Sequence, residues 1–129
     1  MLNLLLVSSD DESFSALAAA LEKHDDVTLF QALSGAAALK AVADKTFDLM
    51  ITDENPDDMN GLKLAEKVIK INPMINCAVV SALAQDEFHK ASEGLGILAQ
   101  LPAHPDAAQA EAILKRLREI INLTKGGSG

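Results

Sequence analysis

Residues 47–62 read Phe47-Asp48-Leu49-Met50-Ile51-Thr52-Asp53-Glu54-Asn55-Pro56-Asp57-Asp58-Met59-Asn60-Gly61-Leu62. An apolar run stops at a carboxylate, a polar loop follows, and helical spacing begins with Leu62, Ala65, Val68 and Ile69. The run Phe47–Thr52 is short and flanked by turn residues, which predicts a strand. Asp53 then stands at its carboxyl end, although Asp is a poor strand residue. Two readings of Asp53 stay open on the residues alone. It is either a loop residue capping nearby backbone N–H groups or a functional carboxylate.

The same unit recurs on both sides. Leu2–Val7 is a continuous apolar run that suits a strand buried on both faces. Ser9 and Glu12 have capping-box spacing, and Phe14, Leu17, Ala18 and Leu21 mark an amphipathic helix. Val27–Ala32 predicts a second strand, and Ser34 caps a helix to about Ala43. Ile75–Val80 predicts a fourth strand ending at Ser81. Phe88, Ala91 and Leu95 mark a helix closed by Gly94 and Gly96. Ile97–Leu101 predicts a short fifth strand. Pro105–Leu123 is the last helix, with Ile113, Leu117 and Ile120 or Ile121 facing inward. Alternation of this kind demands crossovers between parallel neighbours. The expected fold is α/β: a flavodoxin-like (βα)5 doubly wound parallel sheet of order 2-1-3-4-5, in a single domain.

Composition narrows the function classes. The chain has 129 residues, 49% hydrophobic and only 3% aromatic, so its core is aliphatic and base stacking on aromatics is disfavoured. Nineteen acidic against 11 basic side chains give a net charge of −8, which repels nucleic acid and anionic membranes. The single cysteine, Cys77, excludes an internal disulfide and lies in an apolar run that predicts a buried, inert thiol. The first seven residues are too short an apolar run for a signal peptide, and no membrane span is visible, so the expected compartment is the cytoplasm. With scattered histidines (His24, His89, His104), read as solvated surface residues, no zinc site is expected.

Several motifs fail on their chemistry. Asp53-x-Asn55-x-Asp57 imitates the start of a calcium loop, but Asp58 stands for the needed Gly and Leu64 for the needed Glu. No G-x-S-x-G elbow surrounds Ser81. A flavin or nucleotide binder remains a third class for this fold, although the first loop is acidic and lacks glycine. Ligands of such sheets bind beyond the carboxyl ends of the strands. Here those ends offer Ser8, Ser9, Asp10, Asp53, Ser81 and Leu101.

The order of elements and the segment Phe47–Leu62 resemble the receiver domain of two-component response regulators, over essentially the whole chain to about Leu123. The resemblance implies that Asp53 holds the phosphoacceptor position and that Asn55 offers a backbone carbonyl to Mg²⁺. Ser81-Ala82 match the hydroxyl-plus-small pair after the fourth strand. The departures concern charge. Ser8-Ser9 stand where an acidic pair would hold Mg²⁺, and Asp10 lies one step beyond. Leu101 replaces the lysine of a Lys-Pro pair, and Leu98 takes the aromatic switch position. Pro56 falls one residue early. A phosphoryl group at Asp53 would face Glu54, Asp57, Asp58, Asp10 and Asp11. Each like charge about 5 Å away costs on the order of 3 kcal/mol at an effective dielectric of about 20.

The resulting expectation is a degenerate receiver, or pseudo-receiver, at 1–124, followed by a flexible Gly/Ser tail at 125–129 that is a linker or a cloning scar. It would signal by protein contact, not as an enzyme, and with no cofactor. By resemblance the contact face is the fourth helix, fifth strand and last helix, with Leu98 in it. Partner classes are a histidine kinase, an output domain or a second copy. The rival is a working phosphoacceptor with Mg²⁺ held by Asp10 and Asp53.

Overall fold

The computed structural model describes residues 2–10, 12–56 and 58–124. The expected tail at 125–129 lies outside the described residues, as do Asp11 and Asp57. The elements follow the order β1 (Leu2–Val7), α1 (Ser15–Glu22), β2 (Val27–Ala32), α2 (Gly35–Asp44), β3 (Leu49–Thr52), α3 (Gly61–Ile71), β4 (Asn76–Val80), α4 (Gln85–Ala91), β5 (Ala99–Leu101) and α5 (Ala107–Thr124). The five strands form one sheet of order β2-β1-β3-β4-β5, with every pairing parallel. This is the doubly wound fold expected from the alternation.

The central strands are dry on both faces. Leu4, Leu6, Leu49, Ile51, Ala78 and Val80 pack towards α1 and α5. Leu5, Val7, Met50, Cys77 and Val79 pack towards α2 and α3, with Phe88 of α4. Burial pushes the Cys77 thiol up to about 12, which leaves it protonated and unreactive. No helix among the described residues is long and apolar enough to cross a membrane.

Several boundaries differ from the sequence reading. β3 starts at Leu49, not Phe47, because the Asp48 carboxylate accepts from the Asn3 amide at 2.8 Å and closes the strand end with a side chain. The Ser9–Glu12 capping box does not form. α1 starts at Ser15, and Asp10 holds the preceding turn by accepting from the Glu12 amide (2.8 Å) and the Ser13 hydroxyl (3.2 Å). α4 ends at Ala91, where Ser92 returns its hydroxyl to the Phe88 carbonyl at 2.8 Å, so Leu95 lies beyond it. Ser34 does cap α2, accepting from the Ala37 amide at 3.1 Å. His24 is half-buried, not merely solvated, and its Nε2 sits 2.8 Å from a Glu111 carboxylate oxygen.

The reading of Leu98 needs correction. It precedes β5 and is only 6% exposed, packed with Leu101, Ile113 and Leu117. A short edge strand cannot show an apolar side chain to solvent while α5 covers that face. Leu98 is therefore chiefly a core residue, and it offers a partner little exposed surface.

Two contacts aim the loop after β3. At Gly61 a Cβ would meet the Asp53 carbonyl at 2.5 Å, so only glycine lets α3 start this close to the strand end. Asp58 reaches back across the fold and accepts from the amides of Gly35 (2.7 Å) and Ala36 (3.1 Å) at the start of α2. The Gly35 amide, more than any other group, holds the Asp58 carboxyl below the usual carboxylate range.

Three outcomes follow from this packing. Gly61→Ala should cost about 1–3 kcal/mol in a urea melt, because the neighbour it strikes is backbone. Leu98→Asp should cost about 4 kcal/mol or more, by leaving an unpaired charge in the core, and should show as a lost unfolding transition. Asp58 titrates lower when folded than unfolded. Its contribution is therefore present above the ordinary carboxylate pKa and is lost as pH falls through the depressed value. The stability gap between the native chain and Asp58→Asn should be full at neutral pH and shrink as pH falls below the ordinary carboxylate range; a gap that stays constant would exclude this charge effect.

Candidate functional site

The parallel register brings four strand ends to one edge of the sheet. Val7 pairs with Thr52, Thr52 with Val79, and Val80 with Leu101. The next residues, Ser8, Asp53 and Ser81, therefore line one cleft. Their backbone continues the ladder, since the Asp53 amide donates to Val7 at 2.9 Å and the Ser81 amide to Leu101 at 3.1 Å.

Asp53 is half-buried. Its Oδ1 accepts from the Glu54 amide at 2.9 Å, and its Oδ2 lies 3.1 Å from the Ser8 hydroxyl. Ser8 is 8% exposed, and the same hydroxyl also accepts from the Asp10 amide at 3.1 Å. Ser8 and Asp53 are thus brought together as the strand order required. Ser9 and Asn55 are exposed beside them. Ser81 is in the cleft wall, but its hydroxyl accepts from the Leu83 amide at 3.2 Å in a local turn. Leu101 is buried in the sheet and sends no side chain to the cleft.

The carboxylates do not pool their charge. Asp10 faces the turn before α1. Asp58 faces the start of α2. Glu54 crosses to the loop after β4 and accepts from the Ala82 amide at 3.0 Å. Backbone amides hold them, with Lys67 adding an electrostatic attraction at Asp58, and the ion pairs among the described residues lie elsewhere: His24–Glu111, Lys70–Glu66 and Arg118–Asp26. No group of three or more His, Cys, Asp or Glu among the described residues could hold a metal ion.

Three residues of the site escape sequence reasoning. Glu54 and Asp58 read there only as neighbouring negative charges. Gln100 on β5 was not singled out, yet its carboxamide donates to the Ser81 carbonyl (3.2 Å) and the Leu83 carbonyl (2.8 Å). Each bond joins residues 17 or more positions apart, and nothing in local spacing signals it.

Comparison with known proteins agrees with this geometry. The family model for the response regulator receiver domain matches residues 4–102, from within β1 to the residue after β5. Among solved structures, the signal receiver domain of an HD domain-containing protein from Pseudomonas fluorescens Pf-5 superposes with a TM-score of 0.82. It has 20% identity and covers 98% of this chain and 93% of that one. The N-terminal domain of an uncharacterized protein from Wolinella succinogenes gives 0.80 at 21% identity, over 97% and 99% of the two chains. A receiver domain protein from Methanospirillum hungatei JF-1 gives 0.79 at 23% identity, over 92% and 95%. Identities this low show a shared fold and no more. The family match over most of the chain goes further, and with the parallel order 2-1-3-4-5 and an aspartate at the end of β3 it places this chain in the response regulator receiver domain family of two-component signalling.

Proposed function

We propose that this receiver domain is a pseudo-receiver, which signals in the cytoplasm through protein contacts and in which Mg²⁺-dependent phosphorylation of Asp53 is impaired. The observation that carries this reading is the Ser8–Asp53 contact at 3.1 Å, together with an Asp10 carboxylate turned to the Glu12 amide. Mg²⁺ is normally held through one or two carboxylates and keeps several waters. Here the first strand ends in neutral hydroxyls, and the nearest following carboxylate is already engaged. Of the described donors, Asp53 and the Asn55 backbone carbonyl remain, which is a poor match to the ion. No step through Mg²⁺ is assigned to this chain.

The charge argument points the same way. Phosphoryl transfer relies on preorganised positive charge. The position that the family resemblance gives to lysine is Leu101, buried at 5% exposure. An added phosphoryl group would meet the Glu54 carboxylate, which already holds the Ala82 amide. The rival, a working phosphoacceptor using Asp10 and Asp53, needs Asp10 to leave two hydrogen bonds in the turn before α1.

The contact face in this reading is the side of α4, β5 and α5. A shallow groove there has polar walls that include Gln85, His89 and Arg116 and an apolar floor of Phe88, Ile97 and Leu98. Its partner classes are a histidine kinase, an output domain or a second copy. With Leu98 nearly enclosed at the groove floor, the exposed polar residues of its walls carry most of the recognition.

Incubation with Mg²⁺ and a small phosphodonor, followed by intact-mass measurement, should leave the chain unmodified. Mg²⁺ titration should show a dissociation constant above about 1 mM, a binding free energy weaker than about −4 kcal/mol. The double substitution Ser8→Asp and Ser9→Asp should tighten it. A phosphoryl adduct on the native chain that is absent from Asp53→Asn would establish the working-receiver rival.

A further inference from the structure

The loop between β4 and α4 is tied from both sides. Towards β3, the Ala82 amide donates to the Glu54 carboxylate at 3.0 Å. Glu54 is itself fixed along its backbone: its amide donates to Asp53 Oδ1 at 2.9 Å and its carbonyl accepts from the Gly61 amide at 2.7 Å. Towards β5, the Gln100 carboxamide donates to the carbonyls of Ser81 and Leu83 at 3.2 and 2.8 Å. The Ser81 hydroxyl accepts from the Leu83 amide between these two ties. Helix α4 starts two residues later, at Gln85, with the Phe88 amide bonded to the Ala84 carbonyl.

We infer that Glu54 and Gln100 form a two-sided latch that fixes the β4–α4 loop, and with it α4, in one position whatever the state of Asp53. Three features support it. First, the Ala82 amide already holds an anion, and that anion belongs to the chain. A hydrogen bond to a carboxylate is roughly twice as strong as a neutral one. A negative group arriving at Asp53 would have to displace a tethered competitor before it could draw on this amide. Second, Gln100 bonds two carbonyls that span the turn, so the loop cannot swing away from β5 without breaking both. Third, Gly61 keeps α3 against the Asp53 carbonyl, so the β3 side of the latch has a rigid base. A switch requires an input that interacts differently with two states. With the loop held by its own side chains, the input has little left to bias. The latch does not depend on how Asp53 reacts, and so goes beyond the pseudo-receiver reading.

Amide hydrogen exchange on the isotopically labelled full chain tests it. In Glu54→Ala, exchange at Ala82 should accelerate about tenfold or more, while Glu54→Gln, which keeps an acceptor oxygen, should accelerate it less. In Gln100→Ala, the amides of Ala82 and Leu83 should both accelerate. Amides of Leu5 and Met50 in the central strands report global unfolding and should not change in any variant. Unchanged exchange at Ala82 in Glu54→Ala would overturn the latch. So would acceleration shared equally with Leu5 and Met50, which would mean general loosening. The phosphodonor assay on the same samples separates the two readings. An adduct at Asp53 with Ala82 still protected would defeat the pseudo-receiver reading and support the latch. An adduct that releases Ala82 would overturn the latch.

Discussion

A parallel sheet covered on both faces has no wet side, and this constraint shapes the rest of the molecule. The strands β1, β3 and β4 hide nearly all their side chains, from Leu4 and Leu5 to Ala78 and Val79. Polar groups can therefore appear only where the strands stop. Every strand points the same way, so its carboxyl-end groups collect at one edge. Ser8, Asp53 and Ser81 meet there because Val7, Thr52 and Val80 are the last residues of the ladders. The composition of the strands thus decides where chemistry can sit before any functional residue is considered.

That edge carries several negative charges within a small space, and the chain manages them with backbone amides. Asp10, Asp58 and Glu54 each accept from an N–H at 2.7–3.0 Å. The amide that binds Asp58, on Gly35, and that of Ala36, which binds it too at 3.1 Å, begin α2, where the helix dipole adds to the attraction. The arrangement holds the loops in place mainly through amides, with Lys67 contributing only at Asp58. Electrostatic repulsion estimated from the sequence is therefore softened at rest, and it returns in full for any further anion, because the amides are already committed.

The fold was legible in the sequence because it rests on short-range signals. Apolar runs of four to six residues separated by helical spacing left few alternatives to a doubly wound sheet, and Ser34 declared its cap. The position of Asp53 at a strand end was legible for the same reason. Three features were not. The Ser9–Glu12 pattern suggested a capping box, but Asp10 supplies a charged acceptor and takes the turn. Leu98 was placed on the contact face by family resemblance, and only its packing with the residues of α5 shows that its side chain is largely enclosed. Gln100 carried no signal, since a glutamine in a strand is informative only once its partners are known.

The site's working parts are thus of two kinds. Asp53 and Ser8 are set by strand register, which a single-residue slip would reverse by turning every side chain to the other face. Glu54, Asp58 and Gln100 are set by loop contacts, and each acts on backbone belonging to another element. The first kind can be inherited by any sequence that keeps the sheet. The second kind depends on particular side chains in otherwise permissive loops. Sequences with the same fold can therefore differ in how tightly the β4–α4 loop is held while differing little in core or topology. In this chain a carboxylate and a carboxamide supply the hold. A family resemblance in the strands consequently says where Asp53 is, and the loop residues decide how far the β4–α4 loop can move.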